Sequence, residues 1–447
     1  MKRTLLPARR MGGAIRVPGD KSIAHRSALL SLISKGPVRI RSFPDNDDCK
    51  RSLEAARLLG VQTEGSGDTL VLTPPKSLSA GSDTVIDCGN SGTTARLLSG
   101  ILAGSSIEIT LTGDNSLRTR PMSRVIDPLS QMGAEFFADN GHLPMRIRGH
   151  RLSPLVYELP IASAQVKSAL LLAGLASSCD VTIREKTVTR DHTERMIQAL
   201  GGEISVREVK PVPEPDPHDP RRKRMRMPEP FRKEIILHSA TPISGGEVDI
   251  PGDLSTAAFF LAAAALLGQS LTIENLGLNP TRTAFLDHLK TIGCQVDITN
   301  KQVISGEPRG TVTVTGAPLR ARKLSGDIIV GLIDEIPIVS VLAASAEGTT
   351  IIRDASELRY KESDRLAAIQ HNLQLMGAKC GLLEDGLVIE GGRELSGADF
   401  RSFGDHRIAM AFSIAALGLT GPSTVDDDAV TAVSCPEFYD LLSSVVS

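Results

Sequence analysis

One pattern recurs along the 447-residue chain and constrains its fold more than any other feature. In each copy, a short polar segment precedes a helix rich in Ala and Leu, and a β-branched strand follows. The copies begin at Pro18, Cys88, Ile161, Pro251, Ile333 and Gly404. Self-similarity at such a period indicates one supersecondary unit used repeatedly. The sequence therefore predicts six related α/β units.

A second signal lies between these copies. An amphipathic pattern ends each time in an apolar residue followed by Gly, at Gly60, Gly133, Gly201, Gly293 and Gly377. Glycine directly after a helix is typical of a C-terminal cap, because it adopts positive φ without strain. Alternating strands follow, as at residues 70–72 and 145–148. Each unit is therefore predicted to read β-α-β-α-β-β.

The first and fourth copies are the most alike, since PGDKS at Pro18 matches PGDLS at Pro251. A chain of this length exceeds the ~250–300 residues at which a single core stops growing. We therefore expect two domains of three units each, one formed by residues 20–250 and the other by residues 1–19 together with 251–447. The Pro-rich, charged residues 209–232 are predicted to be a surface insertion of the first domain, with the basic residues 221–224 in a solvated loop.

Composition excludes several functional classes. A net charge of -2, no Trp and 3% aromatic residues argue against a nucleic-acid partner. The six cysteines are scattered without C-x-x-C spacing, so neither a zinc site nor a disulfide framework is indicated. No apolar run is long enough to span a bilayer, and the basic start lacks a secretory core. We expect a cytoplasmic protein without a membrane partner.

Polar residues at the starts of the apolar helices are the candidates for function. The first start carries Lys21, Ser22 and Arg26, with Ser22 as the expected N-cap. Unpaired backbone N–H groups and the helix dipole make such a start an anion site, most naturally for phosphate. A solvated basic helix start is the alternative for this segment taken alone.

Similar polar and charged residues begin the helices of the other units, except in the fourth unit, whose helix start has no cation of its own. The second unit offers backbone access, hydroxyl groups and cations at Asn90, Gly92, Thr93, Arg96 and Arg120. The third offers Ser163, Ala164, Gln165 and Arg190, the last in a segment with a helix-capping pattern. The fifth and sixth offer Asp334, Lys361, Glu362, Arg365, Asp405, His406 and Arg407. Lys361 and Arg365 are expected as i,i+4 neighbours on one helix, where a surface salt-bridge ladder is the alternative.

The cations outnumber the acids Asp48, Asp334 and Glu362 among these candidates. Clustered cations repel each other unless anions balance them. Two phosphates and one or two carboxylates would provide that balance, so we expect polyanionic small-molecule ligands and neither a metal nor another cofactor.

The motifs themselves resemble a known family. PGDKSIAHR, GNSGTTAR, RTRP, SAQVKSALLLAGL, TRDHTE, LIDEIP, RYKESDR and GDHRIAM occur in the order found in 5-enolpyruvylshikimate-3-phosphate synthases. SAQVKS, TRDHTE and LIDEIP resemble the second sequence class of that family, which includes glyphosate-tolerant bacterial enzymes. The resemblance covers nearly the whole chain outside the Pro-rich insertion.

The resemblance implies a two-domain inside-out α/β barrel with the ligand cleft between the domains. The implied reaction transfers the enolpyruvyl group of phosphoenolpyruvate to the 5-hydroxyl of shikimate 3-phosphate and releases phosphate, a step of chorismate and aromatic amino acid biosynthesis. Shikimate 3-phosphate would be held by Lys21, Ser22, Arg26, Ser163, Ala164, Gln165, Arg190, Asp334 and Lys361. Phosphoenolpyruvate would be held by Lys21, Asn90, Gly92, Thr93, Arg120, Gln165, Arg365 and Arg407.

Catalysis is assigned by the same resemblance. Asp334 would accept the hydroxyl proton, and either Glu362 or Lys21 would protonate the methylene carbon. Asp48, Arg96, Asp405 and His406 would support these groups. We expect a monomer with small-molecule partners only.

Two departures from the family patterns bear on the expectations. Residues 433–436 read VSCP, where the other class has a Lys, so that position supplies no cation. Tolerant enzymes of the second class carry Ala where this chain has Gly92, so glyphosate is expected to compete with phosphoenolpyruvate here.

Two other functions remain as alternatives. UDP-N-acetylglucosamine enolpyruvyl transferase shares the fold and chemistry, but it would show a reactive Cys near residue 115, and residues 114–120 contain none. A non-catalytic repeat scaffold gives no reason for charges to cluster at the helix starts.

Overall fold

The structure is a computed structural model that describes residues 1–79, 81, 83–208 and 231–447. The predicted insertion at residues 209–232 therefore lies, apart from its last two residues, outside the described residues. The amino-terminal segment contributes two short strands, β1 (Arg3–Leu5) and β2 (Ala14–Ile15).

The first three units follow in chain order. The first contains α1 (Lys21–Leu30), β3 (Val38–Arg41), α2 (Asp47–Leu58), β4 (Gln62–Ser66) and β5 (Thr69–Thr73). The second contains β6 (Val85–Asp87), α3 (Gly92–Ala103), β7 (Glu108–Thr112), α4 (Asn115–Arg118), α5 (Ser123–Gln131), β8 (Glu135–Ala138) and β9 (Met145–Arg148). The third contains β10 (Leu155–Glu158), α6 (Ala164–Ser177), β11 (Val181–Glu185), α7 (His192–Ala199), β12 (Glu203–Glu208) and β13 (Lys233–His238), and β14 (Gly246–Asp249) follows it.

The second half repeats this arrangement. The fourth unit contains α8 (Leu254–Leu267), β15 (Ser270–Gly277), α9 (Ala284–Thr291), β16 (Gln295–Ile304) and β17 (Glu307–Thr315). The fifth contains β18 (Lys323–Leu324), α10 (Asp327–Leu332), α11 (Ile336–Ser345), β19 (Thr349–Ile352), α12 (Arg365–Leu375), β20 (Lys379–Leu383) and β21 (Gly386–Glu390). The sixth contains β22 (Asp399–Phe400), α13 (His406–Leu417), β23 (Ser423–Val425) and α14 (Phe438–Val445).

In the part of the chain that the structure describes, the strands form six small sheets, which confirms the predicted α/β fold of repeated units. Five sheets have four strands and one has three, in the orders β14-β3-β5-β4, β6-β7-β9-β8, β10-β11-β13-β12, β16-β17-β15-β2, β18-β19-β21-β20 and β1-β23-β22. The sixth unit differs in one detail, because α14 follows its second strand and β1 from the amino terminus completes the sheet.

Two strand pairings show where the chain passes between the halves. Strand β14, which follows the third unit, pairs in parallel with β3 of the first unit. Strand β2, at the amino terminus, pairs in parallel with β15 of the fourth unit. The chain therefore crosses twice, near residue 19 and near residue 250, at turns that lie against each other through a bridge between Gly19 and Gly252. We call residues 18–20 and 251–253 the crossing.

Two hydrophobic cores accompany the two sets of sheets. One is built from residues between Ile23 and Ile250, and the other from residues between Leu254 and Val445. Leu5, Met11 and Val17 are buried in the second core, although they precede the first unit in sequence. These cores support our proposal that residues 20–250 form one domain and residues 1–19 with 251–447 the other.

The central helices of both halves are buried on all sides. Helix α8 is the extreme case, with every residue from Leu254 to Ala265 buried. Burial of each large aliphatic side chain contributes ~1.5–3 kcal/mol, so these helices dominate the stability of the two cores. Gly100 allows the closest packing between them, because a Cβ there would lie 2.0 Å from the Ala169 carbonyl oxygen. With their bodies buried, the helices can expose polar groups only at their ends.

The glycine caps fall as predicted. Gly60, Gly133, Gly201, Gly293 and Gly377 have φ between 87° and 117°, and each follows a helix and precedes a strand. The prediction that Ser22 caps the first helix is wrong. Asp20 is the N-cap, and its carboxylate accepts from the Ile23 amide at 3.1 Å, which places Ser22 inside the first turn.

One further local prediction is also wrong. Lys361 and Arg365 do not share a helix, because a 3₁₀ turn at Ser356–Tyr360 ends before Lys361 and α12 begins at Arg365. The Asp364 carboxylate caps α12 by accepting from the Ala367 amide, which forces this break. The capping pattern at residues 189–194 does fall at the start of α7, whose N-cap is Asp191, although the Asp191 carboxylate accepts from Arg195 and Asn279 rather than from the helix backbone.

Candidate active site

A cleft between the two halves is lined by the amino-terminal turns of the buried helices. The first half contributes Lys21, Ser22, His25, Asp48, Gly92, Thr93, Arg96, Arg120, Arg124, Ser163, Gln165 and Arg190. The second half contributes Asp253, Arg282, Asp334, Glu357, Tyr360, Lys361, Glu362 and Arg407. The helix starts identified from the sequence thus converge on one space.

Lys21 lies in the first turn of α1, where an ion pair fixes its ammonium group. Its Nζ donates to Asp48 Oδ2 at 2.8 Å, and its backbone amide donates to Asp253 of the other half at 3.1 Å. Burial disfavours the charge, but the Asp48 carboxylate outweighs it and raises the pKa of Lys21. Lys21 is therefore a positive group held at the junction of the two halves.

Two arginines, Arg96 and Arg120, lie at the amino-terminal turn of α3. Arg120 donates to the side-chain oxygen of Asn90 at 2.8 Å and to its carbonyl at 3.2 Å. Arg96 donates to Gln165 at 3.0 Å, and Gln165 in turn donates to the Thr93 hydroxyl at 3.0 Å. Burial, together with the charge of Arg120, lowers the pKa of Arg96 to about 10.

Gly92 lies between these two arginines. A Cβ at Gly92 would lie 2.7 Å from one Arg96 guanidinium nitrogen and 3.4 Å from one of Arg120. The absent side chain therefore leaves space for an anion between two arginines and the backbone of α3. Asn90 does not line the cleft, but it orients Arg120, which does.

Asp334 is the carboxylate that most cations share. It accepts from Arg190 of the first half at 2.6 Å. Lys361 and Arg365 lie 3.5 Å from its Oδ1, and Arg407 lies 3.9 Å from its Oδ2. Burial would raise the pKa of Asp334, but these cations, led by Lys361, hold it well below its usual range. The group is an ionised carboxylate, as a proton acceptor must be.

Glu362 forms a second acidic centre across from Arg120. Its carboxylate accepts from Arg365 at 2.5 Å and lies 3.8 Å from an Arg120 nitrogen. Burial opposes ionisation, yet Arg365 and Arg120 hold the pKa of Glu362 well below its usual range. Asp334 and Glu362 are therefore linked through the single guanidinium of Arg365.

Asp405 and His406 lie behind these groups. Asp405 caps α13 through the Arg407 amide at 2.9 Å, and its carboxylate accepts from Arg365 at 2.8 Å. Burial and the nearby Lys21 hold the pKa of His406 well below its usual range, so its imidazole is neutral. These two residues orient the charged groups and, among the described contacts, do not line the cleft.

Two other predicted ligands differ in accessibility. Ala164 borders an apolar extension of the cleft, beside Ile161, Ile329 and Ile333. The guanidinium of Arg26 is buried and donates to Ser168, Thr193 and the Ser22 carbonyl. Its role in phosphate binding stays a prediction, while its observed contacts tie α1 to α6 and α7.

Several cleft residues were missed from the sequence. Arg282 comes from the loop before α9, Arg124 from the first turn of α5, and Glu357 from the 3₁₀ turn. None of them belongs to the polar start of a central helix, so the repeat pattern gave no signal for them. Arg282 supplies the cation that the fourth helix start lacks in its own sequence, because it donates to Asp253 at 3.2 Å.

Within the ranges that the structure describes, no cluster of His, Cys, Asp and Glu side chains is arranged to hold a metal ion. In the same ranges, no helix is long and apolar enough to cross a membrane.

Sequence and structure comparisons agree on one family. The profile described as EPSP synthase (3-phosphoshikimate 1-carboxyvinyltransferase) matches residues 6–225 and 232–442. A 3-phosphoshikimate 1-carboxyvinyltransferase from Synechocystis sp. is 44% identical over 97% of this chain and 93% of that protein. One from Anaeromyxobacter sp. strain K is 45% identical over 98% of this chain and 96% of that protein.

Solved structures show the same relationship. An EPSP synthase from Acinetobacter baumannii superposes with a TM-score of 0.82 at 35% identity, covering 100% of this chain and 98% of that one. The enolpyruvyl transferase NikO from Streptomyces tendae shares the fold, with a TM-score of 0.75 at 18% identity, covering 99% of this chain and 97% of that one.

Proposed function

The chain belongs to the EPSP synthase (3-phosphoshikimate 1-carboxyvinyltransferase) family, and from that premise we propose how its cleft carries out the reaction. The reaction transfers the enolpyruvyl group of phosphoenolpyruvate to the 5-hydroxyl of shikimate 3-phosphate and releases phosphate. Both substrates are polyanions, and the cleft presents cations from both halves of the chain. Charge complementarity therefore supports binding of the two substrates side by side.

The two substrates use different parts of the cleft in this proposal. Shikimate 3-phosphate binds to Lys21, Ser22, Arg26, Ser163, Ala164, Gln165, Arg190, Asp334 and Lys361. Phosphoenolpyruvate binds to Lys21, Gly92, Thr93, Arg120, Gln165, Arg365 and Arg407, and Asn90 contributes to this set by orienting Arg120. Lys21 and Gln165 belong to both sets, which is supported by their positions at the first turns of α1 and α6.

Asp334 acts as the proton acceptor in the first step. It takes the proton of the 5-hydroxyl while the hydroxyl oxygen attacks C2 of phosphoenolpyruvate, and the methylene carbon C3 gains a proton from Glu362 or Lys21. The product of this step is a tetrahedral intermediate that retains the phosphate. Loss of a proton from C3 and departure of phosphate then restore the enol ether. Each acid–base contribution is typically worth ~10²–10⁴-fold in rate.

Substrate binding itself adjusts the base. Lys361, Arg407, Arg190 and Arg365 depress the pKa of Asp334 because it is the anion that they share. Anionic substrate oxygens become additional partners of these cations and offset part of their positive charge. Binding therefore raises the pKa of Asp334 towards the value that a proton acceptor requires. The same argument applies to Glu362, whose ionised carboxylate must gain a proton before it can donate one to C3.

The position of Asp334 among cations from both halves is the observation that carries this proposal. The test is phosphate release in the presence of both substrates, measured for the wild type and Asp334→Ala. We expect the variant to lose at least ~10²-fold in kcat. Asp297→Ala, on an exposed strand of the same half, is the control and should keep wild-type activity. Wild-type turnover in Asp334→Ala would refute its role as the base.

We also propose that the chain acts as a monomer in the cytoplasm. The scattered cysteines, without the spacing of a disulfide framework, support a reducing compartment. Light scattering during gel filtration tests the first point, and localisation of a tagged chain tests the second.

A further inference from the structure

The two matching turns of the crossing contact each other in a reciprocal way. The Asp20 amide donates to the Pro251 carbonyl at 2.8 Å, and the Asp253 amide donates to the Pro18 carbonyl at 2.8 Å. Asp20 caps α1 and Asp253 caps α8, so equivalent residues of the two halves have equivalent roles. The crossing therefore brings two N-cap carboxylates close together in a buried position.

One guanidinium group bridges these carboxylates. Arg282 donates to Asp20 at 3.1 Å through one terminal nitrogen and to Asp253 at 3.2 Å through the other. The Arg282 side chain is 4% exposed, and Asp20 and Asp253 are 4% and 9% exposed. The guanidinium is a planar fork with donors at two ends, so it can bridge two acceptors at a fixed separation. A lysine ammonium group cannot do this.

A second chain of contacts leads from Arg282 to the proposed base. Arg282 donates to the Ser255 hydroxyl at 2.8 Å, and Ser255 donates to the Glu335 carboxylate. Glu335 is the N-cap of α11 and the chain neighbour of Asp334. On the other side, Arg282 lies 3.4 Å from the hydroxyl of Ser22 in the first half.

We propose that Arg282 is a positioning residue for the reaction. It fixes the distance between the first turn of α1, with Lys21 and Ser22, and the first turn of α11, with Asp334 beside it. This inference rests on the proposed function, because it concerns how the proposed base is aligned with groups of the other half.

The expected effect is on kcat rather than on substrate binding. Each half keeps its own cations when Arg282 changes, so the substrates still bind, but Asp334 is no longer held in line with the first half. Displacement of a reacting group by ~1 Å can reduce a rate by ~10²-fold. Arg282→Lys keeps the positive charge and removes the fork, and should therefore lower kcat by about 10²-fold while each KM changes by less than about threefold.

Arg309→Lys is the matched control. Arg309 is also a buried arginine of the second half that pairs with an aspartate of the first, and it donates to Asp249 at 2.5 Å. It lies outside the cleft. Phosphate release per folded molecule, with folding checked by circular dichroism, should fall for Arg282→Lys and stay at the wild-type value for Arg309→Lys.

The outcomes separate the two proposals. A wild-type enzyme that releases no phosphate from the two substrates would refute the proposed function itself. An active wild type together with kcat of Arg282→Lys within about twofold of it, or with an equal loss in Arg309→Lys, would overturn the positioning role. A loss that appears as a raised KM with unchanged kcat would also overturn it.

A milder variant carries the test if Arg282→Lys does not fold. Ser255→Ala removes the link between Arg282 and Glu335 without removing a charge, and it should lower kcat by about tenfold. Ser340→Ala is its control, because this buried hydroxyl on α11 donates to the Ile336 carbonyl of its own helix. Equal kcat values for the two serine variants would contradict the proposed link.

Discussion

Ion pairs connect the two halves of the chain at the cleft and near the crossing, and the two sets differ in which half supplies the arginine. Across the cleft, arginines of the first half pair with carboxylates of the second, in the pairs Arg190–Asp334, Arg120–Glu362 and Arg124–Glu357. Near the crossing, arginines of the second half pair with carboxylates of the first, in the pairs Arg282–Asp20 and Arg309–Asp249.

The two sets also differ in their access to solvent. The arginine side chains of the cleft pairs Arg124, Arg190 and Arg120 are 29%, 21% and 7% exposed, whereas those of Arg282 and Arg309 are 4% and 2% exposed. An anionic ligand in the cleft can replace a carboxylate as the partner of Arg120 or Arg190. No such exchange is open to Arg309, which is buried and lies outside the cleft.

This difference indicates a division of labour between the two regions. In our proposal the arginines of the cleft pairs exchange their carboxylates for substrates, whereas the Arg309–Asp249 pair, outside the cleft, holds the two halves together. Changes in the cleft should therefore affect activity more than stability, and changes at Arg309 should do the reverse.

The largest effect is expected for the second acidic centre of the cleft. Glu362→Gln removes the proton donor candidate while keeping its size, and should lower kcat by ~10²–10³-fold if Glu362 protonates C3. The KM for shikimate 3-phosphate should stay within about twofold, since Glu362 is not among its proposed ligands. Steady-state phosphate release measures both values.

Lys21→Met is the comparison for this prediction. Lys21 is proposed to bind both substrates, so this variant should raise both KM values whether or not Lys21 is the proton donor. Near wild-type kcat in Glu362→Gln would exclude Glu362 as the donor and leave Lys21 in that role.

The next effect concerns stability and tests the comparison directly. Arg309→Ala should lower the free energy of unfolding by about 2–3 kcal/mol, less than the ~3–5 kcal/mol of a fully buried pair, because Asp249 is 28% exposed. Arg124→Ala should cost under ~1 kcal/mol, as usual for exposed pairs. Urea denaturation followed by circular dichroism measures both, and equal losses would contradict the proposed difference between the regions.

The repeating parts of this fold were predictable because they depend on local patterns. The helix starts, the five glycine caps and the six units follow from periodicity and from the conformational freedom of glycine. The convergence of Lys21, Gly92 and Arg407 on one cleft was also predictable, since each lies at the start of a buried helix.

The parts that escaped prediction depend on tertiary contacts. Arg282 and Arg124 reach the cleft from segments outside the central helix starts, so their roles appear only when the halves are packed together. Ser22 is not the N-cap, because the carboxylate of Asp20, two residues earlier, accepts from the Ile23 amide of the same helix. Lys361 and Arg365 were predicted to share a helix, but the Asp364 cap separates them, and both instead lie 3.5 Å from the Asp334 carboxylate.

A smaller effect is expected where the cleft is tightest. Gly92→Ala places a methyl group 2.7 Å from the Arg96 guanidinium, whose flexible end can shift, so the fold should survive. The space for an anion shrinks, and the inhibition constant of glyphosate should rise at least ~10-fold, or ~1.4 kcal/mol, with a smaller rise in the KM for phosphoenolpyruvate. Gly65→Ala has no neighbours within 4 Å and is the control. Equal inhibition of wild type and Gly92→Ala would refute the prediction.

The smallest expected effect is the pH dependence of the stability that the Asp334 carboxylate contributes in the cleft. The cations around Asp334, led by Lys361, outweigh its burial and hold its pKa well below the model-compound value of 3.8. Ionised Asp334 therefore stabilises the folded state above pH 3.8, and this contribution is lost as pH falls through the folded-state pKa. The stability difference between wild type and Asp334→Asn should be constant from pH 7 to 5 and should shrink by under ~1 kcal/mol over the first half unit below pH 3.8. Urea denaturation across this range measures it, and a difference that grows on acidification would show that Asp334 is not stabilised by its cations.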